Sequence, residues 1–468
     1  MTAQSSSQTA SVYVTAEAGD RLSVKPELHF SRPSSNDDHS HLEIRIDDSR
    51  VYQEIDGFGA SFLEAGSLCL REIDFQAQEQ VLRALFDPKH GAGFSAMKTV
   101  IGATDFMSAG PYFTYDDNPG DSTLQHFSID RDLQPMGLIP YIKRARNYGR
   151  FVLQATMDYP PDWMLLDIAR NQDVDRRYFP ALAQYYVRYL SEYEKNGITI
   201  KYLSPFNEPG IYTKISAEKI RDFIRDDLGP VFTTQKINAK IQVSDFGNRS
   251  DAERYSRVIL GDSQARRYIS SISYHAYGFK DYDKIANIHR DYPDLPVWMT
   301  EVDHSYGTDT PRTQPLPRYD FKDGDFWANQ IISDMESGAS AWIYWNMILD
   351  ENGGPYLLSE AHRDDADNYQ HPVINRRTKQ ITYTALYYYL AHFSKFVRPG
   401  AHRIRSTGRI SKVRCAAFKS PEGLIVAELV NSRRRQVDVR LRWRGRVLEA
   451  ALPPHSITSL IWNEGDNL

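Results

Sequence analysis

From residue 52 to residue 395 the chain alternates between two patterns, and this alternation limits its fold more than any other feature. Short apolar runs rich in β-branched and aromatic residues are separated by longer stretches whose apolar side chains recur at spacings of three and four. These are the marks of buried strands and amphipathic helices. Eight strand candidates can be counted: QEIDGFGA from Gln53, AMKTVIGA from Ala96, FVLQATMD from Phe151, IKYLSPFN from Ile200, KIQVSDF from Lys240, ISSISYHAY from Ile269, LPVWMTEV from Leu295 and AWIYWNM from Ala341. Segments such as AQEQVLRALF, YFPALAQYYVRYLSEYEK, SDAERYSRVIL and FWANQIISDME carry helical periodicity between them. Eight strands separated by helices over this length predict an α/β fold, a (β/α)8 TIM barrel.

The flanks read differently. Residues 1–51 form a polar tail and then extended pieces, SVYVTAEAG and LEIRID, parted by SRPSSNDDHS. Residues 396–468 alternate apolar and polar positions in RCAAFK, GLIVAELVN, QVDVRLRW and ITSLIWN, with turn residues between, as antiparallel strands do. A closed barrel offers no open sheet edge, so the N-terminal strands are expected to join the C-terminal ones in an accessory antiparallel β-sandwich. The resulting division is 1–51 for the tail and joining strands, 52–395 for the barrel and 396–468 for the rest of the sandwich.

A formal charge of −5 argues against a nucleic-acid partner, and the run Arg433, Arg434, Arg435 is short enough to read as a solvated turn. Cys69 and Cys415 form no redox or metal-ligand motif and are assigned as thiols. No stretch of about 18 apolar residues could span a bilayer. The start, MTAQSSSQTASVYV, lacks a basic and then apolar leader. The expectation is therefore a cytoplasmic protein, or a secreted one if the start is truncated or misassigned. Asn248-Arg249-Ser250 is a formal glycosylation sequon, expected to carry no meaning on the cytoplasmic reading. Oligomeric state is not legible here.

In a barrel, residues at the C-terminal ends of strands face the active site. The fourth candidate ends IKYLSPFNEPG, placing Asn207 and Glu208 just past the apolar stretch, and the seventh ends LPVWMTEVDHS, placing Glu301 at the equivalent point. Their separation, 301 − 208 = 93 residues, holds the intervening βα units. Alone, Asn-Glu-Pro reads more readily as a turn with a solvated Glu, and Thr-Glu-Val as a surface salt bridge. Their joint position at strand ends favours the pair of carboxyls that glycoside hydrolysis needs, one protonated and one ionised. Asp56-Gly57-Phe58-Gly59 lacks the third glycine of a dinucleotide fingerprint, with Phe62 in its place, and reads as a tight turn at a barrel mouth. His275 has no His or Cys at ligand spacing and is expected to hydrogen-bond a carboxylate or a sugar hydroxyl. Neither a metal nor an organic cofactor is called for.

IDGFGASFLEA, ATDFMSAGPYFTYDDNPGD, DFIRDDLGPVF, NEP, WMTE, WNMILDENGGP and YYLAHFSKFVRPGAHRI follow one another in an order that resembles glycoside hydrolase family 30, especially its glucosylceramidase branch. The resemblance implies a carbohydrate or glycoconjugate substrate and net retention, with Glu208 as acid/base and Glu301 as nucleophile. It further implies sugar contacts from Asn207 and Asp105, His275 and Tyr277 near the nucleophile, and Trp345 and Asn346 at the end of the eighth strand. Three positions depart from the glucosylceramidase pattern: Asp158 stands where a sugar-contacting Trp is found, Lys98 where an Arg is found, and Ala276 where an aromatic is found. Asp303, two residues past the nucleophile, adds a further acid. Asp158 is accordingly expected to bind sugar in a remodelled pocket. A β-xylosidase, β-fucosidase, β-galactosidase or β-1,6-glucanase of the same mechanism, or a weakly catalytic carbohydrate-binding protein, remain alternatives to a glucosylceramidase-like enzyme.

Overall fold

The computed structural model describes residues 8–33, 42–107, 112–166, 173–303, 320–355, 371–408 and 410–465. Most of SRPSSNDDHS and the start of the tail fall outside them. Eight parallel strands close into a barrel: β1 (Gly57–Phe62), β2 (Ala96–Val100), β3 (Val152–Thr156), β4 (Tyr202–Ser204), β5 (Lys240–Phe246), β6 (Ile269–His275), β7 (Val297–Glu301) and β8 (Ala339–Asn346). The circle shuts where Ala341 of β8 pairs with Gly57 of β1. Strands hemmed in by helices outside and side chains inside have no wet face, and every residue of β1, β2, β7 and β8 is buried.

The first strand begins later than its sequence suggests. Gln53 and Glu54 end a separate strand, Leu42–Glu54, that belongs to the accessory sheet, and Gly57 to Gly59, read above as a turn, lie inside β1. The reason is steric. A Cβ at Gly57 would sit 2.3 Å from Ser95 Oγ and one at Gly59 would sit 2.2 Å from the Ala96 carbonyl oxygen, so these glycines let β2 approach. Gly57 also has φ +141°, which side chains rarely adopt.

Outer helices start where the sequence supplies caps. Asn248, the sequon residue, accepts from Asp251 N and opens the helix Arg249–Leu260. Next to it the fully buried Arg249 guanidinium lies 2.7 Å from Asp334, in the helix Phe321–Glu336 that joins β7 to β8. Among the described residues no helix is long and apolar enough to cross a membrane.

The accessory sheet has nine strands, in the order Arg446–Leu452, Val437–Trp443, Leu42–Glu54, His402–Thr407, Val413–Lys419, Leu424–Asn431, Ser456–Asn463, Thr9–Ala16 and Ser23–His29. All neighbours are antiparallel except Val437–Trp443 beside Leu42–Glu54, which run parallel, a departure from the purely antiparallel expectation. The sheet folds over until Ser31 bridges to Val447, enclosing Phe30, Trp443 and Trp462 in mutual edge and tilted contacts. It docks on the barrel through the helix Ala385–Phe396, whose buried His392 lies 2.6 Å from Ser459 Oγ and 2.9 Å from Thr15 Oγ1.

Candidate active site

At the C-terminal mouth of the barrel, Glu301 is the last residue of β7 and His275 the last of β6. Glu208 sits four residues past β4 with φ +43°, and its N–H donates to the Asp245 carbonyl at 2.7 Å. A left-handed non-glycine residue costs roughly 1–3 kcal/mol and persists only where its surroundings fix it. Here two backbone bonds, from Asn207 N to Met157 O and from Glu208 N to Asp245 O, tie this corner to β3 and β5.

Single atoms of Glu208, Glu301 and His275 lie within 4.8 Å of one another, and all three residues are buried. The two carboxyls share His275 Nδ1, 2.7 Å from Glu208 Oε1 and 3.4 Å from Glu301 Oε1, but differ in their other neighbours. Glu301 Oε2 is 2.8 Å from the Lys98 ammonium, and Glu301 Oε1 accepts from the Tyr277 hydroxyl at 3.0 Å. Glu208 Oε1 faces His275 Nδ1 at 2.7 Å. Burial pushes the His275 imidazole down to about 4 despite the pull of Glu301, so at neutral pH Glu208 meets an uncharged ring while Glu301 meets a cation. The spacing of these three residues could serve a divalent cation, but Lys98 already supplies positive charge at Glu301.

Lys98, from β2, also donates to Asn207 Oδ1 at 3.1 Å and lies 4.9 Å above the Trp345 ring. Burial alone would drive its proton off. Glu301, Asp245 and Asp158 outweigh that and hold it above the usual lysine range. Asp245 is the reciprocal case. Burial opposes its charge, yet Lys98, His275, Thr300 and Ser204 keep its carboxyl below the usual value, and Gln154 Nε2 donates to it at 2.8 Å. About 4 kcal/mol between unit charges roughly 4 Å apart at an effective dielectric near 20 makes this balance reasonable.

Three further acids go the other way. Burial, then the charge of Glu301, pushes Asp105 up to about 8. Burial, Glu301 and Glu208 push Asp303 up to about 8. Asp158 is raised well above its ordinary value by burial and by Asp105. The Thr104 hydroxyl donates to Asp105 Oδ1 at 2.9 Å, Asn346 Nδ2 donates to Asp303 Oδ2 at 2.9 Å, and the buried Asp158 Oδ1 has no hydrogen-bond partner among the described residues.

All nine residues singled out from the sequence thus gather at one mouth: Asp105, Asp158, Asn207, Glu208, His275, Tyr277, Glu301, Trp345 and Asn346. Asp245 was missed. Its signal was an acid inside the apolar run KIQVSDF, which in a fully buried strand demands a partner. Tyr159 and Tyr212 were missed too; their rings meet edge to face at 5.5 Å, and Glu208, Asp105 and Asp158 act electrostatically on Tyr212.

Residues 55–397 match the glycosyl hydrolase family 30 TIM-barrel domain, and residues 400–460 match the glycosyl hydrolase family 30 beta sandwich domain. The lysosomal acid glucosylceramidase of Mus musculus is 25% identical over 479 residues, covering 97% of this chain and 89% of that protein. An endo-1,6-beta-D-glucanase of Neurospora crassa is 28% identical over 394 residues, covering 80% of this chain and 77% of its own length. The crystal structure of SrfJ from Salmonella typhimurium superposes with a TM-score of 0.86 at 22% identity, over 97% of this chain and 100% of that one.

Proposed function

We propose, from the premise that the chain belongs to glycosyl hydrolase family 30 and is a glycoside hydrolase, that it cleaves β-glycosidic bonds with retention of configuration, Glu301 acting as nucleophile and Glu208 as acid/base. The observation that carries this reading is the unequal setting of two carboxyls less than 4.8 Å apart, one ion-paired with Lys98 and one on neutral His275. Retaining sites hold their carboxyl groups about 5–5.5 Å apart, too close for a water to attack from between them.

Glu301 Oε1 or Oε2 attacks the anomeric carbon while Glu208 passes its proton to the departing oxygen. The glycosyl ester so formed has consumed the charge on Glu301, and Glu208 is left ionised. Water then gives a proton to Glu208 as its oxygen displaces Glu301, which restores both groups. Tyr277 and Lys98 hold the nucleophile on two sides. Asp105, Asp158, Asn346 and Trp345 surround the place a sugar would occupy, with Asn207 beside Lys98.

The relatives that are glucosylceramidases favour a glucosylceramidase-like substrate, whereas Asp158 favours a differently shaped glycone among the xylosides, fucosides, galactosides and β-1,6-glucans. An acid in place of an aromatic ring replaces a stacking surface with a hydrogen-bonding one. Nitrophenyl β-glucoside, β-xyloside, β-fucoside and β-galactoside should be compared with wild type and Glu301→Gln, the anomer of the first product being followed by NMR. Turnover of one glycoside by wild type alone, giving the β-anomer first, is the expected result. An α-anomer first would refute retention, and sugar binding without cleavage by wild type would favour a binding protein.

A further inference from the structure

Between the helix Phe321–Glu336 and the accessory sheet lies an open groove of about 880 Å³, lined by none of the residues described above at the barrel mouth. This volume is within the range of small-ligand sites. Its walls carry Lys322, Lys412, Arg433, Arg434 and Arg435 against a single lining carboxylate, Asp325. The arginine run that reads as a solvated turn in the sequence is therefore drawn up around a concavity.

Asp325 does not neutralise these cations. Its Oδ2 lies 2.6 Å from His455 Nδ1, and its Oδ1 accepts from the Tyr389 hydroxyl at 3.0 Å. Arg433 donates from Nε and Nη2 to the Ser411 carbonyl at 3.0 and 2.8 Å, which fastens one turn of the sheet to another. Lys322 is 3.7 Å from Asp320. Lys412, Arg434 and Arg435 have no carboxylate partner among the described residues. Like charges gathered in a cleft repel one another and focus field outward, so the arrangement raises the local concentration of anions.

We propose that this seam groove is a second binding site, for an oligosaccharide that bears oxyanion groups such as sulfate, phosphate or carboxylate. Forked guanidinium groups can grip two oxygens of a sulfate, phosphate or carboxylate at once, and the Ser411 and Ser432 hydroxyls in the same wall can meet sugar hydroxyls, with Asn329 held in place by its N–H donations to the Asp325 carbonyl and Ser432 Oγ. A membrane surface is the weaker fit. None of the exposed large apolar residues, such as Val24, Phe75 or Ile211, lines the groove, and interfacial binding needs apolar side chains to bury. The position also suits a glycan. Lys322, Asp325 and Phe326 stand in the first turns of the helix that follows β7, which puts them toward the face where Glu301 ends its strand. Phe326 packs at 5.1 Å on Phe279, two residues beyond Tyr277. A chain held at the seam stays near the catalytic mouth.

The test uses binding, which is independent of whether the enzyme cleaves any particular bond. Full-length Glu301→Gln protein, with and without the exposed triple substitution Lys412→Ser, Arg434→Ser, Arg435→Ser, is titrated calorimetrically with a heparin-derived sulfated hexasaccharide, a neutral hexasaccharide and phosphatidylglycerol vesicles. The proposal expects the sulfated chain to bind the parent, binding to weaken at least about tenfold in the triple variant and at high salt, and the neutral chain not to compete. Arg434→Ser alone should fall between, and melting curves should coincide, so a folding defect is separable. Equal affinity of parent and triple variant, no binding of the sulfated chain, or binding of the vesicles without it would overturn the proposal.

Discussion

Asp303→Asn should make the protein more stable relative to wild type as the pH rises, because Asp303 is a carboxyl the fold keeps protonated. It is 5% exposed, Asn346 Nδ2 donates to one oxygen at 2.9 Å, and the Tyr277 hydroxyl lies 3.5 Å from the other. Burial, with Glu301 and Glu208 nearby, pushes it up to about 8, whereas an unfolded aspartate titrates near ~3.9. Between those values the folded chain holds a proton that the unfolded chain has released, so stability declines by about 1.4 kcal/mol per pH unit and is level on either side. From pH 5 to pH 8 the decline due to this one group is about 4 kcal/mol. Asparagine cannot ionise, so the gap between variant and wild type should widen by that amount over the interval. Asp105, also near 8, remains in both proteins, and since burial and Glu301 raise it more than Asp303 does, most of its contribution cancels. Urea unfolding followed by tryptophan fluorescence at pH 5, 6.5 and 8 measures the gap directly. A gap that stays constant, or that closes toward pH 8, would show that Asp303 is ionised in the folded protein and that the account of the acid cluster is wrong.

Two further outcomes follow from the same cluster. Lys98→Met leaves Glu301 and Asp245 without their cation, and removing one partner of a buried pair costs about 3–5 kcal/mol; urea unfolding should register that loss at pH 7 together with a fall in kcat/KM of at least about a hundredfold, and a variant as stable as wild type would contradict the assigned pairing. Asp158→Ala removes a buried oxygen that has no hydrogen-bond partner among the described residues and, on the proposed function, should change the ratio of kcat/KM between the preferred and next-best nitrophenyl glycosides by about tenfold, with an unaltered ratio counting against a sugar contact.

The barrel was legible because its physics is repetitive. Each strand is a short buried run and each helix an amphipathic one, so eight pairs register even when single boundaries slip. The slip at Gln53 has a local cause. Residues 53–62 form one apolar-looking run, but Leu42–Glu54 pairs with His402–Thr407 in the accessory sheet while Gly57–Phe62 pairs with β2 and β8, and pairing partners far along the chain leave no local trace. The parallel contact of Val437–Trp443 with Leu42–Glu54 is hidden for the same reason. Glu208 and Glu301 were legible because strand ends are where a barrel exposes its interior; Asp245 was not, since it lies within its strand.

The harder matter for sequence reading is the charge state of the mouth, because it is a collective property. Six acids converge there, Asp105, Asp158, Glu208, Asp245, Glu301 and Asp303, around Lys98, the one fully buried ammonium among the described residues. Were all of them ionised, the repulsion could not be met by one cation at several kcal/mol per close pair. The fold resolves this by division. Asp245 and Glu301 are the acids in closest electrostatic or hydrogen-bonded touch with Lys98, while Asp105, Asp158 and Asp303 are pushed toward the neutral form. A neutral carboxyl both donates and accepts, so the sugar contacts proposed for Asp105 and Asp158 would use hydrogen bonding in both directions. On the proposed function, sugar contact through Asp105 weakens as the pH passes about 8, whereas folding stability has by then already declined, over the interval from about pH 4 to about pH 8, and levels off.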